Sequence, residues 1–140
     1  MTQFNTKLVH GPQLQTDKAG AIVPPVYQSA MYRFAPDGGT SDWDYARSSN
    51  PTRDYLERQI ATLENGDAGF AFSSGVAAIA TVLAIFPDGS HFIIGDSLYS
   101  GTDRLLNQYF AQHGLTFTPV DPRDLTAVEA AIRPETKAIF

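Results

Sequence analysis

From Ala68 to Phe140 the sequence alternates short apolar runs with segments of helical period, and that alternation leaves few folds open. Ala68-Gly69-Phe70-Ala71-Phe72 predicts a short buried strand, and Ser73-Ser74-Gly75 turns the chain into a helix over 76–86, apolar on nearly every side and hence buried. Pro87-Asp88-Gly89 is a turn, followed by a strand at His91-Phe92-Ile93-Ile94. A helix over 101–113 pairs Leu105 with Tyr109 and Leu106 with Phe110 before Gly114 caps it. Then come a strand over 115–120, a helix over 125–132 broken by Pro134, and a strand opening at Lys137-Ala138-Ile139-Phe140. Alternation of this kind needs crossover connections, so the expected class is α/β, a mainly parallel sheet with helices on both faces. A strand beginning so close to residue 140 has little length to pair, which suggests a truncated chain.

Residues 1–49 read differently. They are rich in Gly, Pro, Gln, Ser and Thr and keep no sustained period. Within them 21–27 is extended, because a residue before proline is pushed towards β or polyproline geometry, and Asp37–Asp42 is a turn. An extended arm without its own core must lie on something, and a neighbouring subunit is the expected support. At Asn50 the pattern changes: Asn50 suits an N-cap, Pro51 the first helical position, and Leu56, Ile60 and Leu63 keep helical spacing until Asn65-Gly66. The expected organisation is therefore an arm over 1–49 and the first part of an α/β domain over 50–140.

Composition excludes several classes. There are no cysteines, hence no disulfide framework, thiolate zinc site or cysteine nucleophile. A net charge of −5 without a basic run disfavours nucleic acid and anionic membrane as partners. The apolar run 76–86 is too short to span a bilayer, and the N-terminus lacks an export signal, so a cytoplasmic location is expected. His10, His91 and His113 have no ligand spacing, so no metal is expected. Dinucleotide, P-loop and hydrolase-elbow signatures are missing. Asp54 and Glu57 read as favourable charges in a first turn and on a solvated helix face.

Two segments carry chemistry. Ser73-Ser74-Gly75-Val76 runs from a strand into a helix, whose first N–H groups lack intrahelical partners and point at any anion placed before them. A plain serine N-cap has the same sequence. Tyr45-Ala46-Arg47 places a phenol beside a guanidinium that can grip phosphate with two parallel hydrogen bonds, although a surface ion pair would look alike. Tyr99 follows the strand at His91–Ile94, at the sheet edge where α/β folds bind ligands; it suits stacking on a flat ring or a place in the core.

Tyr45-x-Arg47-x-x-Asn50-Pro51-Thr52 with Ser73-Ser74-Gly75 resembles the pyridoxal-phosphate (PLP) enzymes of cysteine and methionine metabolism, the cystathionine synthase and lyase group. The likeness extends through Thr6–Gly11, Gly20-Ala21-x-x-Pro24-Pro25-Val26-Tyr27-Gln28-Ser29, Leu63-Glu64-x-Gly66, Tyr99-x-Gly101-Thr102, Val120-Asp121 and Ile132-x-Pro134-x-Thr136-Lys137. Ala46 and Met31 depart from it, since serine or threonine is usual at both positions.

The resemblance implies a fold-type-I PLP-dependent transferase-like architecture. Tyr45 and Arg47 would bind the cofactor phosphate from the neighbouring subunit, while Ser74, Gly75 and Val76 bind it within their own. Tyr99 would stack on the pyridine ring and organise the substrate. It also implies a homodimer at least, and a homotetramer, acting on a sulfur amino acid. The implied reaction is cleavage of a C–S bond of cystathionine or a related compound. Cystathionine γ-synthase or O-acylhomoserine sulfhydrylase activity, or a non-catalytic α/β phosphate-binding module, are the alternatives. The family's Schiff-base lysine has no counterpart among Lys7, Lys18 and Lys137. Half a cofactor site is expected in this chain.

Overall fold

The computed structural model describes residues 4–11, 20–34, 36, 39 and 42–140. The chain divides into two compact units, one ending at Ala71 and the other running Phe72–Phe140.

The first unit is organised by α2 (Pro51–Glu64). Asn50 caps it as expected, its side-chain oxygen accepting from Thr52 N–H at 2.9 Å. The same amide donates to the Tyr27 carbonyl at 3.2 Å and to the Tyr32 phenol at 3.1 Å, while Thr52 Oγ1 accepts from Tyr27 N–H at 2.8 Å. The start of the helix and the preceding segment are thus one hydrogen-bonded structure. Leu56 and Ile60 are about half exposed, so the apolar stripe that predicts the helix is not fully covered here.

A seven-residue helix, α1 (Phe4–His10), stands where a fully extended arm is expected. So short an element leaves no periodicity to detect. It is held from outside: Gln59 Nε2 of α2 donates to the carbonyls of Lys7 and Leu8, both at 3.0 Å. Gly11 then turns the chain with φ +49°, where a β-carbon would overlap Gln59 Oε1 and the Tyr55 hydroxyl. The turn expected at Asp37–Asp42 falls largely outside the described residues, as does Lys18.

The second unit holds a parallel three-stranded sheet in the order β2-β1-β3: β1 (His91–Gly95), β2 (Thr116–Val120) and β3 (Thr136–Ile139). The connections contain α4 (Ser100–Gln108), a 3-10 turn (Phe110–His113) and α5 (Leu125–Ala130), and α3 (Gly75–Ala84) precedes the sheet. This bears out the α/β class. Leu83 of α3, Phe92 and Ile94 of β1, Leu106, Phe110 and Leu115 form the core, with Phe86 packed edge-on to Phe92 at 5.0 Å. β3 pairs with β1 despite its position near residue 140. The register skips between His91 and Phe92, so Lys137 lies within the strand at a bulge, one residue after the strand begins at Thr136.

Two expectations are corrected. Ala68–Phe72 is not a strand: it has no ladder partner among the described residues, and Phe70 is 77% exposed. Alternation of sequence cannot supply a partner strand. The helix α3 is also not buried all round. Leu83 alone of its residues is buried, and Val82 is exposed, because a single face meets the core.

His91, 1% exposed on the central strand, bonds both neighbours through its ring: Nδ1 to Thr136 Oγ1 at 2.7 Å and Nε2 to Thr118 Oγ1 at 2.8 Å. Each threonine oxygen already accepts from Arg133, Thr118 from Nη2 and Thr136 from the backbone N–H. Burial, and then the Arg133 charge, lower the His91 pKa below 6.5, against an opposing pull from Glu135. The native state therefore binds this proton less readily than the unfolded chain. Stability is held above pH 6.5 and declines as pH falls through that value towards the lower native pKa. His91→Gln should flatten the decline in unfolding free energy as pH falls below about 6.5, measured by urea denaturation. An unchanged slope would show that other groups carry it.

Candidate cofactor site

Ser74 is the N-cap of α3, extended at φ −158° and ψ 158°, and its Oγ accepts from Ala77 N–H at 3.1 Å. One of the helix's orphan donors is thereby satisfied. The N–H groups of Gly75 and Val76 have no acceptor among the described residues and stand at the positive end of the helix dipole. Gly75 has nothing within 4 Å of where a β-carbon would lie, so the approach to these donors is open. The ligand class such an arrangement accepts is an anion with several oxygens.

Tyr99 lies at the start of α4, after β1, and the residue is 72% exposed. It is not a core aromatic in this unit. The backbone around it is fixed: its carbonyl accepts from Asp103 N–H at 3.0 Å. A cleft of about 400 Å³ opens near the C-terminal ends of β1 and β2, walled by Asp96, Ser97, Ser100, Asp103 and Pro119; Tyr99 is not among its lining residues. At the same strand end Arg123 grips both Asp121 carboxylate oxygens, at 2.8 and 2.9 Å. Those bonds hold the exposed Asp121 carboxyl below its usual range and raise Arg123, which Asp96 also favours. A larger groove of about 600 Å³, lined by Leu83, Phe86, Leu105, Tyr109 and Phe110, includes none of the candidate residues.

Tyr45 and Arg47 belong to the first unit. Tyr45 bridges antiparallel to Met31, with Tyr32 N–H on Asp44 O and Ala46 N–H on Ala30 O, both 2.9 Å. The chain then turns tightly, the Tyr45 carbonyl accepting from both Ser48 and Ser49 at 2.9 Å. The Arg47 guanidinium lies 5.0 Å from the centre of the Tyr45 ring. Among the described residues neither the phenol nor the guanidinium has a hydrogen-bonding or carboxylate partner, so no surface ion pair of Arg47 forms within that set. The structure thus brings Tyr45 to Arg47 within one unit, and Ser74, Gly75 and Val76 together in the other. No three His, Asp or Glu residues among those described are grouped to hold a metal.

A family-wide sequence profile, the Cys/Met metabolism PLP-dependent enzymes, matches residues 5–140. The chain belongs to this family. Among its relatives, cystathionine beta-lyase of Lactococcus lactis subsp. cremoris (strain MG1363) is 44% identical over the whole chain, which spans 37% of that protein. Cystathionine gamma-lyase of Bacillus subtilis (strain 168) is 41% identical over 96% of the chain and 36% of its own length. The crystal structure of cystathionine gamma-lyase from Lactobacillus plantarum complexed with L-serine superposes with a TM-score of 0.87 at 48% identity, over 99% of this chain and 36% of that one. The chain thus spans little more than a third of these relatives.

The residues of this family member fit a phosphate ester: two open helix-end donors, an unobstructed approach and a hydroxyl. Arg53, Glu57 and Gln59, which carry most of the side-chain bonding of α2, were missed from the sequence; their contacts lie on backbone atoms that no motif spells out. Ser74→Ala should cost about 1 kcal/mol of stability and Ser74→Gly only a few tenths, read by urea unfolding. Equal costs would show that the bond to Ala77 does not hold the start of α3.

Proposed function

We propose that this chain is the cofactor-binding N-terminal part of a PLP-dependent lyase that cleaves a C–S bond of cystathionine or a related sulfur amino acid in transsulfuration. The observation that carries the reading is the open donor pair at Gly75 and Val76, in a chain 44% identical throughout to a cystathionine beta-lyase. When bound, the cofactor withdraws electrons from the substrate α-carbon so that sulfur can leave.

The N–H groups of Gly75 and Val76, with the Ser74 hydroxyl, hold the phosphate from one subunit. Tyr45 and Arg47 close over the same phosphate from a neighbouring subunit. The unpartnered polar ends of both residues support this, as do the exposed apolar side chains of the arm, Ile22, Val23, Val26, Met31 and Phe34. Such a surface is suited to burial in a homodimer or homotetramer. Tyr99 lays its exposed ring against the pyridine and orients the substrate. The lysine that joins the cofactor lies in sequence outside these 140 residues. No helix among the described residues is long and apolar enough to cross a membrane, which agrees with a cytoplasmic enzyme.

A second reading is favoured by one relative: the cystathionine gamma-synthase/O-acetylhomoserine (thiol)-lyase of Bacillus subtilis (strain 168) is 42% identical over 96% of the chain. The full-length protein with PLP should release thiol from cystathionine. Failure to do so, with sulfide or cysteine incorporated into an O-acylhomoserine instead, would favour the synthase reading.

Tyr99→Phe should retain ring stacking, which contributes about 0.5–1.5 kcal/mol beyond burial, and lose the phenol. Cofactor affinity should then fall little and turnover substantially, while Tyr99→Ala lowers both. Activity that merely follows melting temperature in both variants would remove Tyr99 from the site.

A further inference from the structure

Arg53 and Glu57, one turn apart on α2, are bound to backbone that precedes and follows the helix in sequence. The Arg53 guanidinium points at three successive carbonyls of the Tyr45–Ser49 turn: Nη2 donates to Ser48 O at 2.5 Å, and Nη1 to Ala46 O at 3.4 Å and Arg47 O at 3.5 Å. Its Nε faces Glu57 Oε1 at 3.7 Å. That carboxylate oxygen in turn accepts from Ala71 N–H at 2.9 Å. Ala71 lies three residues before Ser74 in the sequence. The close fit of this backbone on α2 is visible at Gly69, where a β-carbon would run into the Glu57 carbonyl oxygen. Glu57 is therefore not a charge on a solvated face, as its helical position alone suggests; its side chain is 23% exposed.

We infer that Arg53 and Glu57 are positioning residues for the Tyr45–Arg47 half of the phosphate clamp: Arg53 holds the turn that carries Tyr45 and Arg47 on α2, and Glu57, itself fixed by Ala71 N–H, holds Arg53. The inference rests on the phosphate reading proposed above and names what sets its geometry. Arg53 does not bind the anion itself, since its donors are directed at carbonyls and a carboxylate. It acts through Arg47, by holding the carbonyls of residues 46–48 on the α2 side. A planar fork can serve several acceptors at once; a lysine ammonium at the same position supplies the charge but not the fork. Under the proposed assembly, Arg47 serves a neighbouring subunit and Ser74 its own.

The test uses the full-length protein. PLP dissociation constants are measured by titrating the cofactor-free protein, and its melting temperature is recorded in parallel. Arg53→Lys should weaken PLP binding about tenfold without lowering the melting temperature of the cofactor-free protein. In an Arg47→Ala background the same change should cost less than about threefold, because residues acting through one group are not additive. Glu57→Gln keeps an acceptor for Ala71 N–H and should stay within about threefold of wild type, whereas Glu57→Ala should lose about tenfold. Equal Arg53→Lys losses in both backgrounds, no loss in the wild-type background, or affinity falling in step with melting temperature would each overturn the inference. An Arg47→Ala protein with unchanged PLP affinity would instead sink the phosphate reading, and this inference with it.

Discussion

The first turns of α2 are where the first unit is made. Asn50 uses its side-chain oxygen to cap the helix and its amide to hold Tyr27 and Tyr32, and Thr52 returns a bond to the Tyr27 backbone. Arg53 and, one turn on, Glu57 take hold of backbone that precedes and follows the helix in sequence. Gln59 then binds the end of α1. Among the described residues before the helix, the backbone groups of Lys7, Leu8, Tyr27 and residues 46–48 are satisfied on this one helix and its cap, since polar groups left unpaired are costly.

The second unit rests on different physics. Leu83, Phe92, Ile94, Leu106, Phe110 and Leu115 exclude water between the sheet and the α3–α4 layer. On the other face of β1, His91 joins the three strands through hydroxyls. Apolar burial there is non-directional, while the histidine bridge fixes register; burial first, and then the Arg133 charge, disfavour protonation of that ring. The same sheet sets Tyr99 at the end of β1, and α3 presents its open N–H groups at its first turn. Loops and helix starts at these positions are free for ligands because the backbone bonds that build the scaffold lie elsewhere.

The candidate site was legible as residue types rather than as an arrangement. Ser74, Gly75 and Val76 announce a helix start that can take an anion, and Tyr45 beside Arg47 announces a second polar grip. Arg53 and Glu57 lie in the same motif-rich stretch yet read as surface charges, because their partners are carbonyls and an N–H, and every residue type has those. The exposed ring of Tyr99 likewise could not be told from a core aromatic until its surroundings were known.

Local chemistry determined much from sequence alone: the Asn50 cap and Pro51 entry of α2, the Ser74 cap of α3, the break at Asn65, and the order of strands and helices that demands a parallel sheet. These depend on residues within a turn or two of each other, where propensity and period act directly. Tertiary structure decided the rest. It made a helix of Phe4–His10 because Gln59 lies across from it. It left Ala68–Phe72 without a ladder because a strand exists only beside a partner. It turned Glu57 inward to Ala71, since a half-buried N–H takes the nearest acceptor, and nearness across fourteen residues of chain is a property of the fold.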